Sequence, residues 1–196
     1  MRPAVFLDRD GVINPMWQDP DHGLVDAPMR PEQFSILPGV IEAIRELNCG
    51  GYMTVVVSNQ PGIAKGKQTP VLLEAITQKM RDELGLGGAN LDAVYYCRHH
   101  PEALVQEYRA VCDCRKPRPG LLYQAARDLR IDLAHSFMVG DGVTDVQAGR
   151  QAGCRTIWVG RLKCDWCQIM REQAAWPDWV VADLPDAVKR ICERGA

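Results

Sequence analysis

The sequence has little net charge, because residues of the two signs almost cancel. Lys and Arg number 23 against 25 for Asp and Glu, which leaves a formal net charge of -2. Proteins that bind nucleic-acid backbones usually present a basic surface, so this balance disfavours nucleic acid as a partner. Any phosphate group that the protein binds would have to be held by local groups rather than by an overall field.

The chain also lacks a long apolar run. Its N-terminal apolar stretch stops at Asp8, which is too early for a signal peptide or a membrane-spanning helix. We therefore expect a cytoplasmic protein with no membrane partner. The length of 196 residues suffices for one sizeable core and is too short for two ordinary domains with a linker. We expect a single domain over residues 1–196.

A disulfide framework is not expected, although the chain contains eight cysteines. Cysteines stay reduced in the cytosol, and a core of this size does not need covalent cross-links. Cysteines that lie close together in the sequence therefore point to a metal site first.

Short apolar runs without polar alternation are present, and they predict strands buried on both faces. Segments with helical spacing of apolar residues lie between them. This alternation is typical of an α/β fold with a doubly wound parallel sheet. Residues 14–38 have no sustained periodicity and predict a long loop with room for a small hairpin. The predicted strands are residues 4–7, 52–57, 91–96, 136–139, 156–159 and 179–181, and the predicted helices are about residues 40–48, 71–84, 115–130, 144–152 and 185–194.

Two carboxylates follow the first predicted strand directly. Asp8 and Asp10 are separated by one residue, and side chains along a strand alternate with a period of two, so both would project to the same side. Gly11 then lets the backbone turn away. Ligands of parallel α/β sheets bind at the carboxyl ends of the strands. The alternative is a solvated loop with two aspartates, which is how most Asp-rich turns behave.

Polar residues also follow the other predicted strands. If right-handed crossovers place those strands side by side, the polar groups converge in one crevice. Three carboxylates there would repel one another without a cation, and hard oxygen ligands with room for water select Mg²⁺. A lysine and a serine hydroxyl would suit a phosphoryl group. The converging residues are Asp8, Asp10, Ser58, Asn59, Lys116, Asp141 and Asp145.

If a phosphoryl group and a metal ion bind in this crevice, Asp8 and Asp10 would have different roles in the reaction. One of Asp8 and Asp10 would attack phosphorus to form an aspartyl-phosphate, and the other would protonate the leaving oxygen and then deprotonate a water molecule. The role of Asp145 stays open, since it could act through water or cap the helix that follows it.

A second constellation combines three cysteines and one histidine across a loop, residues 97–114. Three thiolates and an imidazole suit a closed tetrahedral zinc site, which leaves no position open for catalysis. Zinc would stabilise a loop that has no core of its own. A group of free surface thiols is the alternative, and His100 could replace His99. The expected ligands are Cys97, His99, Cys112 and Cys114.

The motifs together resemble those of the haloacid dehalogenase (HAD) superfamily, in the correct order and over nearly the whole chain. The matching segments are residues 6–11 (FLDRDG), Ser58, Lys116 and residues 140–145 (GDGVTD). The resemblance implies a Rossmann-like fold in which Asp8 is the nucleophile and Asp10 is the general acid and base. Ser58 and Lys116 would steady the phosphoryl group. Mg²⁺ would be held by the carboxylates of Asp8 and Asp141 and by the backbone carbonyl of Asp10.

Further segments resemble the D-glycero-D-manno-heptose 1,7-bisphosphate 7-phosphatase family. They are residues 21–23 (DHG), 58–64 (SNQPGIA), 95–101 (YYCRHHP) and 111–120 (VCDCRKPRPG). The resemblance implies a capless, monomeric enzyme that hydrolyses a phosphorylated sugar during the synthesis of lipopolysaccharide or surface glycans. It favours His99 over His100 as a zinc ligand, and the planar guanidinium of Arg115 suits the far phosphate. The implied substrate-binding residues are Asp21, His22, Gly23, Asn59, Gln60 and Arg115.

Histidinol-phosphate phosphatases share these motifs and are the alternative. A non-catalytic, zinc-stabilised binding module is a second alternative, which the complete set of motif residues disfavours. The sequence departs from the heptose family at residues 15–20, which look longer than usual, and at residues 164–176, which replace an expected basic loop. Both segments lie in predicted loops that could touch the sugar.

Overall fold

Six parallel strands form one sheet at the centre of the computed structural model, which describes residues 1–19, 21–162 and 164–195. The spatial order is β5-β4-β1-β6-β7-β8, and every pairing in this sheet is parallel. The strands are β1 (Ala4–Leu7), β4 (Met53–Asn59), β5 (Ala93–Cys97), β6 (Phe137–Gly140), β7 (Arg155–Val159) and β8 (Trp179–Val181). The predicted α/β class with a parallel sheet is confirmed.

Helices cover both faces of the sheet. They are α1 (Val40–Cys49), α2 (Pro70–Leu86), α3 (Gly120–Leu129), α4 (Val143–Ala152), α5 (Cys164–Glu172) and α6 (Leu184–Gly195). The alternation of side chains along β1 divides the core, because Val5 and Leu7 pack with α1, α2 and α6, whereas Ala4 and Phe6 pack with α3 and α4. A separate small cluster places Met170 of α5 against Trp158.

The strand order places a crevice at the carboxyl ends of the two central strands. From β1 the chain proceeds outward to β4 and β5, and then returns to β6 on the other side of β1. The loops that leave β1 and β6 therefore diverge, and the space between them is where doubly wound sheets bind ligands. Asp8 follows β1 and Asp141 follows β6, so both aspartates lie at this point.

Two long connections lie at the same end of the sheet. Residues 8–39 join β1 to α1 and contain the predicted hairpin, which pairs β2 (Trp17–Gln18) with β3 (Val25–Asp26), and a short 3₁₀ turn at Pro31–Gln33. Residues 98–119 join β5 to α3. Among the described residues, the two-stranded hairpin β2–β3 is the only additional sheet in these connections. Pro20, part of the segment that departs from the family, lies outside the described residues.

The structure corrects two sequence-based boundaries. The helix expected to begin at residue 115 begins at Gly120, so Lys116 lies in the turn before α3. Residues 164–176 were expected to form a loop, but α5 occupies much of this segment. The helix spans only nine residues, which is about the shortest length at which an apolar periodicity can be recognised. No helix in the described ranges has both the length and the apolar character needed to cross a bilayer.

Candidate active site

Three carboxylates converge at the crevice between β1 and β6. One oxygen from each of Asp8, Asp141 and Asp145 lies within 4.8 Å of the others, so these groups could hold a metal ion. Gly11 makes the close approach possible, since it has a φ of +84° and a Cβ there would lie 2.1 Å from Asp141 Oδ2. A side chain at position 11 would therefore strain the backbone and displace the Asp141 carboxylate.

Lys116 enters the crevice from the turn before α3 and is almost completely buried. Its Nζ lies 3.0 Å from Asp8 Oδ1 and 2.5 Å from Asp145 Oδ1, and it donates to the carbonyl of Val57 at 2.9 Å. Burial opposes the charge on Lys116, but the two carboxylates outweigh that effect, so its pKa lies above the ordinary value. Lys116 is therefore a fixed cation beside the predicted nucleophile.

Each oxygen of the Asp145 carboxylate has a different partner. Its Oδ2 accepts a hydrogen bond from the Gly142 backbone N–H at 3.0 Å, which caps α4. Its Oδ1 faces Lys116. The carboxylate thus fixes both the start of the helix and the position of the lysine.

Asp141 is the least compensated of the three carboxylates. Burial, followed by the negative charges of Asp8 and Asp145, raises the pKa of Asp141 to about 7. A cation between Asp8 and Asp141 would remove this penalty. The donor set consists of hard oxygen ligands, which suits Mg²⁺.

Asp10 is held by three neighbouring side chains. The Arg9 guanidinium, which is fully buried, donates from Nη2 to Asp10 Oδ1 at 2.9 Å and to Oδ2 at 3.1 Å. Asn14 Nδ2 donates to Oδ1 at 2.9 Å, and Gln60 Nε2 donates to Oδ2 at 2.6 Å. The side chain of Asp10 keeps 11% of its surface exposed, so the carboxylate is fixed but open to the crevice.

The last residues of β4 connect this strand to the turn that carries Lys116. Ser58 lies at the end of the strand and is buried. The amide of Asn59 pairs with the backbone of Lys116 in both directions, donating to its carbonyl and accepting from its N–H at 3.0 Å each. Asn59 therefore positions the lysine turn, and the structure brings Ser58, Asn59 and Lys116 together as the sequence predicts.

The predicted substrate residues occupy two different places. Arg115 lies next to Lys116 and donates from Nη1 to the carbonyl of His99 at 3.3 Å. The segment Asp21, His22 and Gly23 lies at the tip of the hairpin, where Asp19 Oδ1 accepts from the Asp21 N–H at 2.9 Å and the His22 N–H at 3.2 Å. The hairpin is joined to the loop after β4 by an ion pair of 2.5 Å between Asp26 and Lys67.

The cysteine and histidine side chains of loop 97–114 form one compact cluster. Sulfur–sulfur distances are 3.6 Å for Cys97–Cys112, 3.4 Å for Cys97–Cys114 and 3.1 Å for Cys112–Cys114. His99 Nδ1 lies 3.4 Å from the Cys114 sulfur. Zinc–sulfur bonds of about 2.3 Å in a tetrahedron place sulfur atoms roughly 3.8 Å apart, so the cluster has the size of such a site. His100 is not part of it; its Nδ1 accepts from the Glu102 N–H.

Sequence reasoning missed Arg9 and Asn14, both of which contact Asp10. A signal for Arg9 was available, because the period of two that directs Asp8 and Asp10 to one side directs Arg9 to the other, into the protein. A charge placed there needs a partner. Asn14 had no comparable signal.

Known proteins with the same fold define the class. The HAD-hydrolase-like family matches residues 113–187. A D,D-heptose 1,7-bisphosphate phosphatase from B. bronchiseptica, solved with magnesium and phosphate, has a TM-score of 0.78 at 31% identity and covers 99% of each chain. A putative HAD-like phosphatase from Mesorhizobium loti has a TM-score of 0.79 at 30% identity, covering 100% of this chain and 88% of that one. The fold and the crevice are those of a HAD-type hydrolase.

The sequence relatives identify the family. The D-glycero-β-D-manno-heptose-1,7-bisphosphate 7-phosphatase of Escherichia coli (strain K12) is 45% identical over 191 residues, which is 96% of this chain and 94% of the relative. The protein of the same name from Salmonella typhi is 44% identical over 191 residues, which is 96% of each chain. The chain belongs to this phosphatase family.

Proposed function

We propose that this chain is a Mg²⁺-dependent phosphatase that removes the 7-phosphate from D-glycero-D-manno-heptose 1,7-bisphosphate. The observation that carries the proposal is the Asp8 carboxylate, which Lys116 holds at 3.0 Å in a crevice that also contains Asp10. The names of the sequence relatives support the substrate and its β anomer.

Asp8 is the nucleophile of the proposed reaction. Its Oδ1 is held by Lys116 and by the Arg9 backbone N–H at 2.8 Å, so this oxygen is in position before substrate binds. An Asp8 oxygen attacks phosphorus as the bond between phosphorus and the sugar oxygen breaks. Lys116 and the Ser58 hydroxyl stabilise the charge on the transferring phosphoryl group.

Asp10 moves the protons. In its protonated form Asp10 gives its proton to the sugar oxygen as that oxygen leaves, which leaves Asp10 ionised and the phosphoryl group on Asp8 as an aspartyl-phosphate. Asp10 then accepts a proton from a water molecule that attacks phosphorus, which frees Asp8 and inorganic phosphate. Asp8 and Asp141, with the Asp10 backbone carbonyl, would hold Mg²⁺, which neutralises charge on the phosphoryl oxygens.

The crevice itself favours a divalent cation. Four carboxylates, those of Asp8, Asp10, Asp141 and Asp145, face two cations, Lys116 and Arg9. Two negative charges are left over when all of the carboxylates are ionised. The magnesium and phosphate bound by the B. bronchiseptica relative support the same assignment.

Zinc is the metal that we propose for the cysteine–histidine cluster. Three soft thiolates and one imidazole suit Zn²⁺ and leave no open position, so its role is structural. The cluster lies directly before Arg115 and Lys116, and Arg115 bonds to the carbonyl of the ligand His99. Zinc would therefore hold the turn that presents both cations, with Arg115 placed for the second phosphate. All of these groups come from one chain, so the proposed monomer would hold a complete site.

Phosphate release with saturating Mg²⁺ tests the proposal. The α and β anomers of the heptose bisphosphate should be compared, with histidinol phosphate assayed in parallel. We expect the highest kcat/KM for the β anomer. Faster release from histidinol phosphate would overturn the substrate assignment, and no release from any of the three would overturn the enzyme assignment.

A further inference from the structure

Gln60 follows β4 directly, and its side chain is turned into the protein. Only 2% of the residue is exposed. The amide contacts three side chains: Gln60 Nε2 lies 2.6 Å from Asp10 Oδ2 and 3.1 Å from Ser58 Oγ, and Gln60 Oε1 lies 3.0 Å from Arg9 Nη2. The amide thus lies between a buried cation and two groups of the reaction.

Arg9 decides which way the amide faces. A guanidinium can only donate hydrogen bonds, so the amide oxygen must face Arg9 and the NH₂ group must face Asp10 and Ser58. Both amide hydrogens then have acceptors. Arg9 is itself held by Asp10 and lies over the Tyr96 ring, 5.7 Å from its centroid.

This orientation has a consequence for Ser58. Because Ser58 Oγ accepts a hydrogen bond from Gln60, its own hydrogen points elsewhere. Among the described residues, the Ser58 hydroxyl has no hydrogen-bond acceptor of its own; its one hydrogen bond is the one it accepts from Gln60. The hydroxyl hydrogen is therefore available for a phosphoryl oxygen.

The same amide sets the direction of the Asp10 carboxylate. Its bond to Asp10 Oδ2 is the shortest that this carboxylate makes. A misplacement of about 1 Å in a reacting group can cost about 100-fold in rate. Without Gln60, Asp10 Oδ2 would keep only its longer 3.1 Å contact with Arg9, so this side of the carboxylate would be held less firmly.

We propose that Gln60 is a positioning residue that aligns the proton donor Asp10 and the phosphoryl-binding hydroxyl of Ser58, and that it does not itself contact the sugar. The inference rests on the proposed function and deepens it. It also replaces a substrate contact expected from the sequence with a role inside the protein.

A pair of substrates separates positioning from a general loss of structure. A sugar phosphate needs a proton on its leaving oxygen, whereas p-nitrophenyl phosphate releases a stable phenolate without one. The ratio kcat/KM reports the steps up to departure of the leaving group. For Gln60→Met we expect kcat/KM to fall by roughly 30- to 100-fold with the sugar phosphate, which needs both Asp10 and Ser58, and by only about three- to tenfold with the aryl phosphate, which needs Ser58 alone.

Gln68→Met is the matched control. Gln68 is also a buried glutamine, but its Nε2 donates to the carbonyls of Pro28 and Met29 rather than to the crevice. We expect both values of kcat/KM to stay near wild type in this variant. An equal fall for the two substrates in Gln60→Met, or no fall for either, would overturn the inference.

Gln60→Glu keeps the size of the side chain and an acceptor for Arg9, but it turns an oxygen towards Asp10. The same substrate-dependent loss is expected, because the two carboxylates repel each other. Wild-type values for both substrates would contradict the inference. Wild-type turnover decides the proposed function separately; a crystal structure of Gln60→Met with Asp10 and Ser58 unmoved would overturn the inference even if the wild type were inactive.

Discussion

The carboxylate crevice and the cysteine–histidine cluster assemble their metal-binding groups by different means. Asp8 and Asp141 belong to distant parts of the chain, and neighbouring sheet strands bring them together. The four residues of the cluster all come from loop 97–114, which has only the short 3₁₀ turn Gln106–Tyr108 between its two ends. The sheet positions the crevice residues through its own strand pairing, whereas we expect the loop to need a bound metal to hold its two ends together.

The crevice and the cluster also differ in how their ionisable groups are compensated. In the crevice, Lys116 compensates Asp8 and Asp145, but Asp141 stays partly uncompensated. In the cluster, burial is the largest effect on the Cys97 thiol and raises its pKa. A crevice with one uncompensated, partly exposed carboxylate suits a cation that also contacts the substrate. A cluster in which thiolates and an imidazole fill every coordination position suits a structural metal ion.

The largest effect is expected from Asp8→Asn, which tests whether the crevice carries the chemistry. An amide cannot act as the nucleophile, so steady-state phosphate release should fall by about four orders of magnitude or more. The shape of the side chain is kept, and Tm should change little. Measurable steady turnover well above this level would remove Asp8 from the role of nucleophile.

Lys116→Met tests how far the crevice depends on its internal ion pairs. Removing one partner of a buried pair leaves a carboxylate without compensation, which typically costs about 3–5 kcal/mol of unfolding free energy. Activity should fall strongly as well. Urea unfolding measures the change in stability.

The double variant Lys116→Met with Asp145→Asn provides the matching control. It should regain part of the lost stability, since one of the two carboxylates that Lys116 compensates is then neutral, but it should not regain activity. If the second change lowers stability further, the account of Asp145 as the partner of Lys116 is wrong.

Cys112→Ala should lower the metal content of the loop and the stability of the protein. It should affect turnover only indirectly, by shifting the residues that follow the loop. Loss of a structural metal removes its binding free energy from folding, and each kcal/mol lost lowers Tm by about 2–4 °C in a chain of this length. Turnover should fall because Arg115 and Lys116 follow the loop. Elemental analysis and thermal unfolding measure the two effects.

Cys49→Ala is the control for that variant, since Cys49 is exposed and outside the cluster. It should keep its zinc and its Tm. A Cys112→Ala protein that does the same would show that the loop does not depend on a metal.

The smallest expected effect is on the affinity for Mg²⁺. The pKa of Asp141 is raised to about 7, so at pH 6 the carboxyl is mostly protonated and the metal must displace the proton, whereas at pH 8 it is already charged. Affinity should rise by roughly tenfold from pH 6 to pH 8. Calorimetric titration at the two pH values measures this. An equal affinity at both would contradict the role of Asp141.

The sequence predicted the sheet well because buried parallel strands carry continuous apolar runs. All six strands lie within about two residues of the predicted bounds. The same logic located Asp8, Ser58 and Asp141, since each lies at a strand end whose direction is set by the sheet. The three cysteines of the cluster were found from their spacing, and the family resemblance favoured His99 over His100; the structure brings these four residues together.

Contacts between distant segments could not be predicted in this way. The partnership of Gln60 with Arg9 joins residues 51 positions apart, and it depends on the pairing of β1 with β4. The start of α3 was placed too early because residue 115 and its neighbours are compatible with a helix by local pattern. In the structure, Asn59 holds the Lys116 backbone in a turn instead.

Trapping of the phosphoryl-enzyme tests the central claim most directly. The wild-type protein is mixed with heptose bisphosphate and Mg²⁺, quenched during turnover and treated with borohydride, which reduces an acyl-phosphate at an aspartate to homoserine. Peptide mass spectrometry should find the reduced residue at position 8 and at no other aspartate. Reduction at a different residue, or an unmodified Asp8 in a sample that was turning over, would contradict the account.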